Sequence, residues 1–150
     1  MRRIAALLAV SAALGAPPGA SASASAGPAE LEMIRTINGI RQAHGVPRLR
    51  PADSLFDSAR RYAVRMMRTD RFGHLAQIPV APRWRTAGEA LEWHTGWRLR
   101  PRRTVELWMA SRAHRELLLS RRFTRIGVGA ARGRYRRAKA TMWVAHLASP

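Results

Sequence analysis

The chain has 150 residues, of which 47% are hydrophobic, and a formal net charge of +18 from 27 basic and 9 acidic residues. This length is enough for one ordinary domain with a single core. The chain contains no cysteine, so disulfides are excluded and packing alone must hold the core.

The amino terminus has the order of segments found in exported proteins. A basic start at residues 1–3 precedes an apolar run at 4–14, and an alternating Ala/Ser stretch follows at 20–26. We therefore predict a cleavable signal peptide over residues 1–26. A retained membrane anchor is the alternative, but the run is short and no charged stop follows it. Cleavage would leave 25 basic against 9 acidic residues, a formal charge of +16.

The high positive charge limits the classes of partner. Anions such as envelope polymers and lipid head groups are attracted to a surface of this charge. The arginines are scattered over the whole chain and no nucleic-acid-binding motif is present, so we do not predict specific nucleic-acid binding. No stretch after the leader is apolar enough to cross a membrane.

Two helices are predicted in the first half of the mature chain. Apolar residues recur at helical spacing over 29–44, and Gly45 and Pro47 end that pattern. A second helix should begin with a capping box at 54–57 and stop near 69–71.

The second half alternates loops, a helix and strands. In chain order we predict a loop over 75–87, a short strand or turn edge over 88–93, and a basic loop over 97–103. Thr104 should cap a third helix, and that helix or a broken continuation of it should run to about Leu118. Two strands should follow over 126–130 and 140–147, with Arg132-Gly133-Arg134 in the turn between them.

Several local signatures occur in the order and at about the spacing seen in CAP domains. They are Ile37-Asn38-x-x-Arg41-x-x-x-Gly45-x-Pro47-x-Leu49, then Ala59, Ala63 and Met66, then Phe72-Gly73-His74, Gly88-Glu89-Ala90, Val105-x-x-Trp108-x-x-Ser111-x-x-His114-Arg115-x-x-Leu118, Phe123-x-x-Ile126-Gly127-Val128-Gly129, and Trp143. The chain thus resembles the CAP superfamily, which comprises cysteine-rich secretory, antigen 5 and pathogenesis-related 1 proteins and bacterial SCP-like extracellular proteins. The resemblance implies one α+β domain over residues 27–150, folded as a three-layer α-β-α sandwich.

The resemblance also implies a shallow cleft at three positions. His74, Glu89 and His114 match the family's His/Glu set, and two imidazoles with one carboxylate are a plausible ligand set for zinc or another divalent cation. The alternative is that Glu89 accepts backbone hydrogen bonds and each histidine packs locally. Ser111 is a further candidate to line the cleft.

This chain departs from the family pattern at the same cleft. Ala90 replaces the usual Asn, and Ser111 stands where many eukaryotic members carry a second Glu. His146 lies on the last predicted strand, but the sequence does not align it with the family's strand histidine. The four-residue set of the eukaryotic domains is therefore incomplete in the sequence.

Two functions follow from this interpretation. The first is a non-catalytic module, secreted or held at the cell envelope, that binds anionic envelope components, lipid or a divalent metal. The second is a metal-dependent, peptidase-like hydrolase using His74, His114 and Glu89. Binding is favoured, because the chain has no metal-protease motif and no activated nucleophile. A serine hydrolase built on Ser111 and His114 would lack an orienting acid.

Overall fold

A computed structural model describes residues 26–150, so the predicted signal peptide lies outside the described residues except for Ala26. In chain order the elements are α1 (Pro28–Ala43), β1 (Arg50–Pro51), α2 (Asp53–Thr69), β2 (Thr86–Thr95), α3 (Pro101–Ala110), α4 (Arg112–Leu119), β3 (Arg125–Tyr135) and β4 (Ala138–Ser149). The order of helices and strands agrees with the prediction, and α1 ends where Gly45 adopts a positive φ of 66°.

The four strands form one sheet in the order β1-β3-β4-β2. β3 and β4 form an antiparallel hairpin, and β2 pairs antiparallel with β4 at the far edge. The register pairs Glu89 with His146, and it places both at the centre of the β2–β4 ladder. Side chains directly opposite each other in such a ladder are close enough to interact.

Helices cover both faces of the sheet, which makes the domain a three-layer α-β-α sandwich. One face packs α2 against a cluster that includes Tyr62, Met66 and Val144. The other face packs α1 and α3 against a cluster that includes Trp108 and Trp143. The predicted fold class is confirmed.

Glycines on β3 let α2 approach the sheet closely. A Cβ placed on Gly129 would lie 2.3 Å from the backbone nitrogen of Arg60, and one on Gly127 would lie 2.1 Å from the backbone of Leu55. Both distances are far inside van der Waals contact. The backbone of α2 therefore packs directly against the backbone of β3 at these two glycines.

A buried arginine joins α1 to the segment after α4. Arg41 is 1% exposed and donates hydrogen bonds to the carbonyls of Pro47, Leu118, Ser120 and Phe123. Burial and the nearby positive charge of a second arginine lower its pKa. Four carbonyl oxygens accept from this guanidinium where a carboxylate would be the usual partner. The hydrogen bonds of Arg41 therefore join α1 to the segment that follows α4.

Two boundary predictions are wrong. The capping box at Ser54 does not form: Ala52 is the N-cap of α2, and the Ser54 hydroxyl accepts hydrogen bonds from the Arg83 and Trp84 side chains. The third helix begins at Pro101 and not after Thr104, because a proline suits the first helical turn. The broken continuation of this helix is the alternative that the structure bears out, because the extended backbone of Ser111 separates α3 from α4.

A third correction concerns the hairpin turn. Arg132-Gly133-Arg134 lies inside β3 and not in the turn, which is formed by Arg136 and Arg137. The glycine at 133 faces α2, where a Cβ would lie 2.9 Å from Met67 Cγ. It serves close packing, although its place between arginines resembled a turn signal.

Within residues 26–150, no helix is both long and apolar enough to cross a membrane.

Candidate functional site

His74 lies in the segment that follows α2. That helix ends at Asp70, which adopts a left-handed conformation with a φ of 54°. Three residues later the chain is fixed to α2, because the Tyr62 hydroxyl donates a hydrogen bond to the carbonyl of Gly73. This contact places the neighbouring imidazole of His74 over the edge of β2, with its side chain 58% exposed.

Glu89 lies behind His74 and is the centre of the site. Its side chain is 2% exposed, and each carboxylate oxygen contacts one imidazole. Oε1 is 2.8 Å from His74 Nδ1, and Oε2 is 2.9 Å from His146 Nε2. An ionised carboxylate can only accept, so both ring nitrogens are donors. The Nε2 of His74 is consequently the nitrogen left to face a ligand.

His146 is completely buried and continues the chain of hydrogen bonds inward. Its Nδ1 is 2.7 Å from the Ser58 hydroxyl, which is also 3.1 Å from the carbonyl of Leu55. The Ser58 hydroxyl has one proton and can donate to only one of these two groups. If it donates to Nδ1, His146 is neutral. If it donates to the carbonyl of Leu55, His146 donates from both ring nitrogens. In both arrangements His146 Nε2–H donates to Glu89. The ring of Tyr62 stacks on His146 at 6.4 Å and closes this pocket.

The connectivity Ser58–His146–Glu89 has the order of a catalytic triad but not its accessibility. Ser58 is 1% exposed and His146 is 0% exposed, so a substrate carbonyl cannot reach the hydroxyl. A nucleophile must contact its substrate, and the base must be free to exchange a proton with it. Ser58 and His146 therefore hold Glu89 in place, and Glu89 in turn orients His74.

His114 approaches the same edge of the sheet from the opposite helical layer. It lies on α4, and its ring is 6.3 Å from that of Trp108, whose Nε1 donates to the carbonyl of Leu91 on β2. Burial lowers the pKa of His114, and the positive charge of His74 lowers it further. That the two imidazoles share one cleft stays a prediction.

The two remaining sequence-derived positions are more peripheral. Ser111 separates α3 from α4, and its hydroxyl makes no hydrogen bond within the described part of the chain. Ala90 is fully buried against the core on the other side of β2, so an asparagine there would face the α1–α3 layer. The role of Ser111 as a cleft residue stays a prediction.

The predicted metal ligands are only partly arranged as a metal site. No group of three or more His, Asp or Glu side chains among residues 26–150 is placed to hold an ion. The reason is visible at Glu89, because both of its oxygens are taken by imidazole N–H groups. A cation bound here would need the free imidazole nitrogens of His74 and His114 and access to the buried Glu89, and that these residues bind a metal together stays a prediction.

A surface groove of about 630 Å³ opens at His74. Its walls combine apolar side chains with two cationic ones, and no carboxylate lines it. The lining residues are Tyr62, Arg65, Met66, Thr69, Arg71, Phe72, Gly73, His74 and Leu75. The groove offers hydrophobic contact and positive charge together, which suits an anionic or amphiphilic ligand.

His146 is the functional-site residue that sequence reasoning did not assign. Two signals could have found it. The last predicted strand is apolar on both faces except for Thr141 and this imidazole, and a buried histidine needs partners for its ring nitrogens. Strand pairing with β2 is a long-range relationship, however, and local periodicity does not reveal it.

Comparison with known proteins agrees with this architecture. No curated protein sequence matches the chain. Among solved structures, an outer surface protein from Borrelia burgdorferi matches with a TM-score of 0.65 at 19% identity, over 81% of this chain and 92% of that one. An extracellular protein containing an SCP domain from Bacillus anthracis also gives 0.65, at 21% identity, over 81% of this chain and 40% of that longer protein.

A venom allergen-like protein of Schistosoma mansoni matches with a TM-score of 0.60 at 8% identity, over 83% of this chain and 92% of its own length. At such identities the likeness concerns the fold alone. The family is shown by sequence: residues 34–147 match the CAP model, described as the cysteine-rich secretory protein family. This chain therefore belongs to the CAP family, although it contains no cysteine.

Proposed function

We propose that this protein is an exported, non-catalytic binding module that takes a ligand in the groove at His74. The observation that carries the proposal is the use of Glu89. Its two oxygens accept from His74 and His146, so the carboxylate orients an exposed imidazole and has no free oxygen for other chemistry. A fixed imidazole nitrogen beside Arg65 and Arg71 is a recognition element for an anionic group.

The alternative, a metal-dependent hydrolase, has less support. Such an enzyme needs a carboxylate that reaches a metal-bound water as a general base. Glu89 is 2% exposed and hydrogen-bonded on both oxygens, so it would have to leave both imidazoles first. The contacts of Glu89 therefore suit the binding of a ligand at His74 better than general-base catalysis.

Export and an anionic partner are part of the proposal. The leader sequence supports export, and similar folds include proteins described as outer-surface and extracellular. A chain with 27 basic and 9 acidic residues would be attracted to anionic envelope polymers and lipid head groups. A divalent metal or a lipid in the cleft remains within the same proposal.

The test is native mass spectrometry of protein purified without chelators, which detects any molecule or ion that remains bound. We expect an adduct in the wild type that is lost in the double variant His74→Ala/His114→Ala. His44→Ala is the matched control, because His44 is exposed on α1 and bonds only its own helix. Its adduct should persist.

A peptide library incubated with the zinc-loaded protein separates the two functions. The binding module should cleave nothing. Cleavage that His74→Ala abolishes and His44→Ala leaves intact would overturn the proposal and establish the hydrolase.

A further inference from the structure

The turn between β3 and β4 holds two arginines in an unfavourable backbone conformation. Arg136 and Arg137 have φ values of 47° and 67°, and they form a two-residue loop between the paired residues Tyr135 and Ala138. Positive φ at both central positions defines a type I′ turn, which strongly favours Asn-Gly. Residues with a Cβ adopt this region at a cost in stability, so two arginines here are a poor choice for folding.

The same end of the sheet carries an exposed tryptophan. Trp97 is 49% exposed, and its Nε1 donates to the carbonyl of Gly133, which fixes the indole beside the hairpin. Lys139 lies over the ring, with its Nζ 4.8 Å from the ring centre. The loop is tied to the hairpin again by the backbone of Gly96, which donates to the carbonyl of Lys139.

We call the surface formed by Trp97, Arg134, Arg136, Arg137 and Lys139 the basic tip. Within the described residues, none of its cationic side chains has a carboxylate partner. The Asp70 carboxylate is nearby but accepts the backbone N–H of Arg136. Four cations and an amphipathic ring are therefore presented together at one end of the molecule.

We infer that the basic tip docks the protein on an anionic lipid bilayer. Strained residues persist where the surrounding structure fixes them, and they cluster at functional positions. Arginine and lysine near an anionic bilayer each contribute to attraction, and tryptophan prefers the interface between head groups and acyl chains. The tip supplies both kinds of side chain on a rigid hairpin.

A soluble polyanion would use the charges equally well but would gain little from an exposed indole. The position of Trp97 therefore favours a bilayer over a polymer. The inference rests on the proposed export and anionic partner, and it leaves the groove at His74 free for its own ligand.

The turn offers a test that does not damage the fold. The variant Arg136→Asn/Arg137→Gly removes two charges and installs the sequence that a type I′ turn prefers, so it should be at least as stable as the wild type. The control is Arg48→Gln/Arg122→Gln, which removes two exposed charges near the opposite end of the sheet. Binding is measured by co-sedimentation with phosphatidylcholine vesicles containing about 30% phosphatidylglycerol.

We expect the turn variant to bind these vesicles roughly 30-fold more weakly, and the control to stay within about threefold of the wild type. Vesicles of phosphatidylcholine alone should bind neither. Equal losses in the two variants, or no vesicle binding by the wild type, would overturn the inference. Neither result would bear on the adduct experiment at His74 and His114, so the two proposals fail separately.

Depth of insertion distinguishes the bilayer from a polymer. Brominated lipids should quench part of the tryptophan fluorescence of the wild type, and that part should be missing in Trp97→Phe. If quenching is the same in both proteins, or if the turn variant loses inorganic polyphosphate binding while vesicle binding is unchanged, the tip is not a membrane contact.

Discussion

Glu89 on β2 and His146 on β4 are paired in the sheet register and bonded through their side chains, with Oε2 and Nε2 separated by 2.9 Å. Both side chains are almost completely buried. A buried carboxylate would be costly alone, and the imidazole N–H supplies the partner that makes its position stable. The exposed His74 on the other oxygen is held by a group that itself cannot move.

Replacing this carboxylate should destabilise the domain in a graded way. Glu89→Ala leaves the N–H of His146 without an acceptor, and we expect a loss of about 1–3 kcal/mol or more in the free energy of unfolding. Glu89→Gln keeps one carbonyl oxygen and should lose less. His74→Gln serves as the control, because its side chain is 58% exposed and its contact with Glu89 should be worth less than about 1 kcal/mol. Urea denaturation measures all three, and an unchanged midpoint for Glu89→Ala would contradict the buried network.

Arg41 should be among the most sensitive positions of the core. Arg41→Met removes the donors that four carbonyls use, and unsatisfied buried acceptors should lower the free energy of unfolding by roughly 3–5 kcal/mol. Arg48→Met, at an exposed position, should change it by less than about 0.5 kcal/mol. Similar denaturation curves for the two variants would show that the hydrogen bonds of Arg41 do not contribute to the free energy of unfolding.

Local patterns predicted the elements but not the contacts between distant strands. The first helix and the last strand were predicted to within two residues at each end, because they depend on neighbouring residues only, whereas β3 runs to Tyr135 and was predicted to end at 130. His74, Glu89 and His114 were proposed through family resemblance. The structure bonds His74 to Glu89, and a cleft shared with His114 stays a prediction. His146 and Ser58 were not assigned, since their meeting depends on strand register and on how α2 crosses the sheet.

The misplaced turn has a more specific cause. Gly133 was interpreted as a turn glycine, whereas it is a packing glycine beneath Met67. The actual turn has no glycine and no asparagine, so turn chemistry gave no signal there. Both errors occur where packing or surface charge, and not local conformational preference, selected the residue.

Close packing of α2 on β3 predicts opposite effects for two glycine substitutions. Gly129→Ala places a methyl group 2.3–2.6 Å from the backbone of Ala59 and Arg60, so the helix must shift and stability should fall by about 2 kcal/mol or more. Gly39→Ala is the matched control on the exposed face of α1, where nothing lies within 4 Å of the added Cβ. It should gain roughly 0.5–1 kcal/mol, because alanine is the better helix former. Thermal unfolding of both proteins measures the difference, and a neutral Gly129→Ala would show that the helix does not rest on the strand.

Glu92 on β2 gives a prediction about pH. Burial raises the pKa of its carboxyl above the ordinary value of 4.5, although the N–H of Trp93 and the charge of His94 partly oppose this. Because the pKa is higher in the folded state, the protonated Glu92 contributes to the free energy of unfolding fully below pH 4.5. That contribution is lost as the pH rises through the pKa of the folded state. Glu92→Gln, which keeps the carbonyl acceptor for Trp93, should therefore be more stable than the wild type at pH 7, and this advantage should vanish near pH 4. Glu106→Gln, on the exposed face of α3, should show no such trend in urea midpoints measured across this range. If the wild type is more stable to urea than Glu92→Gln at neutral pH, the ionised carboxylate of Glu92 stabilises the folded protein and the prediction is wrong.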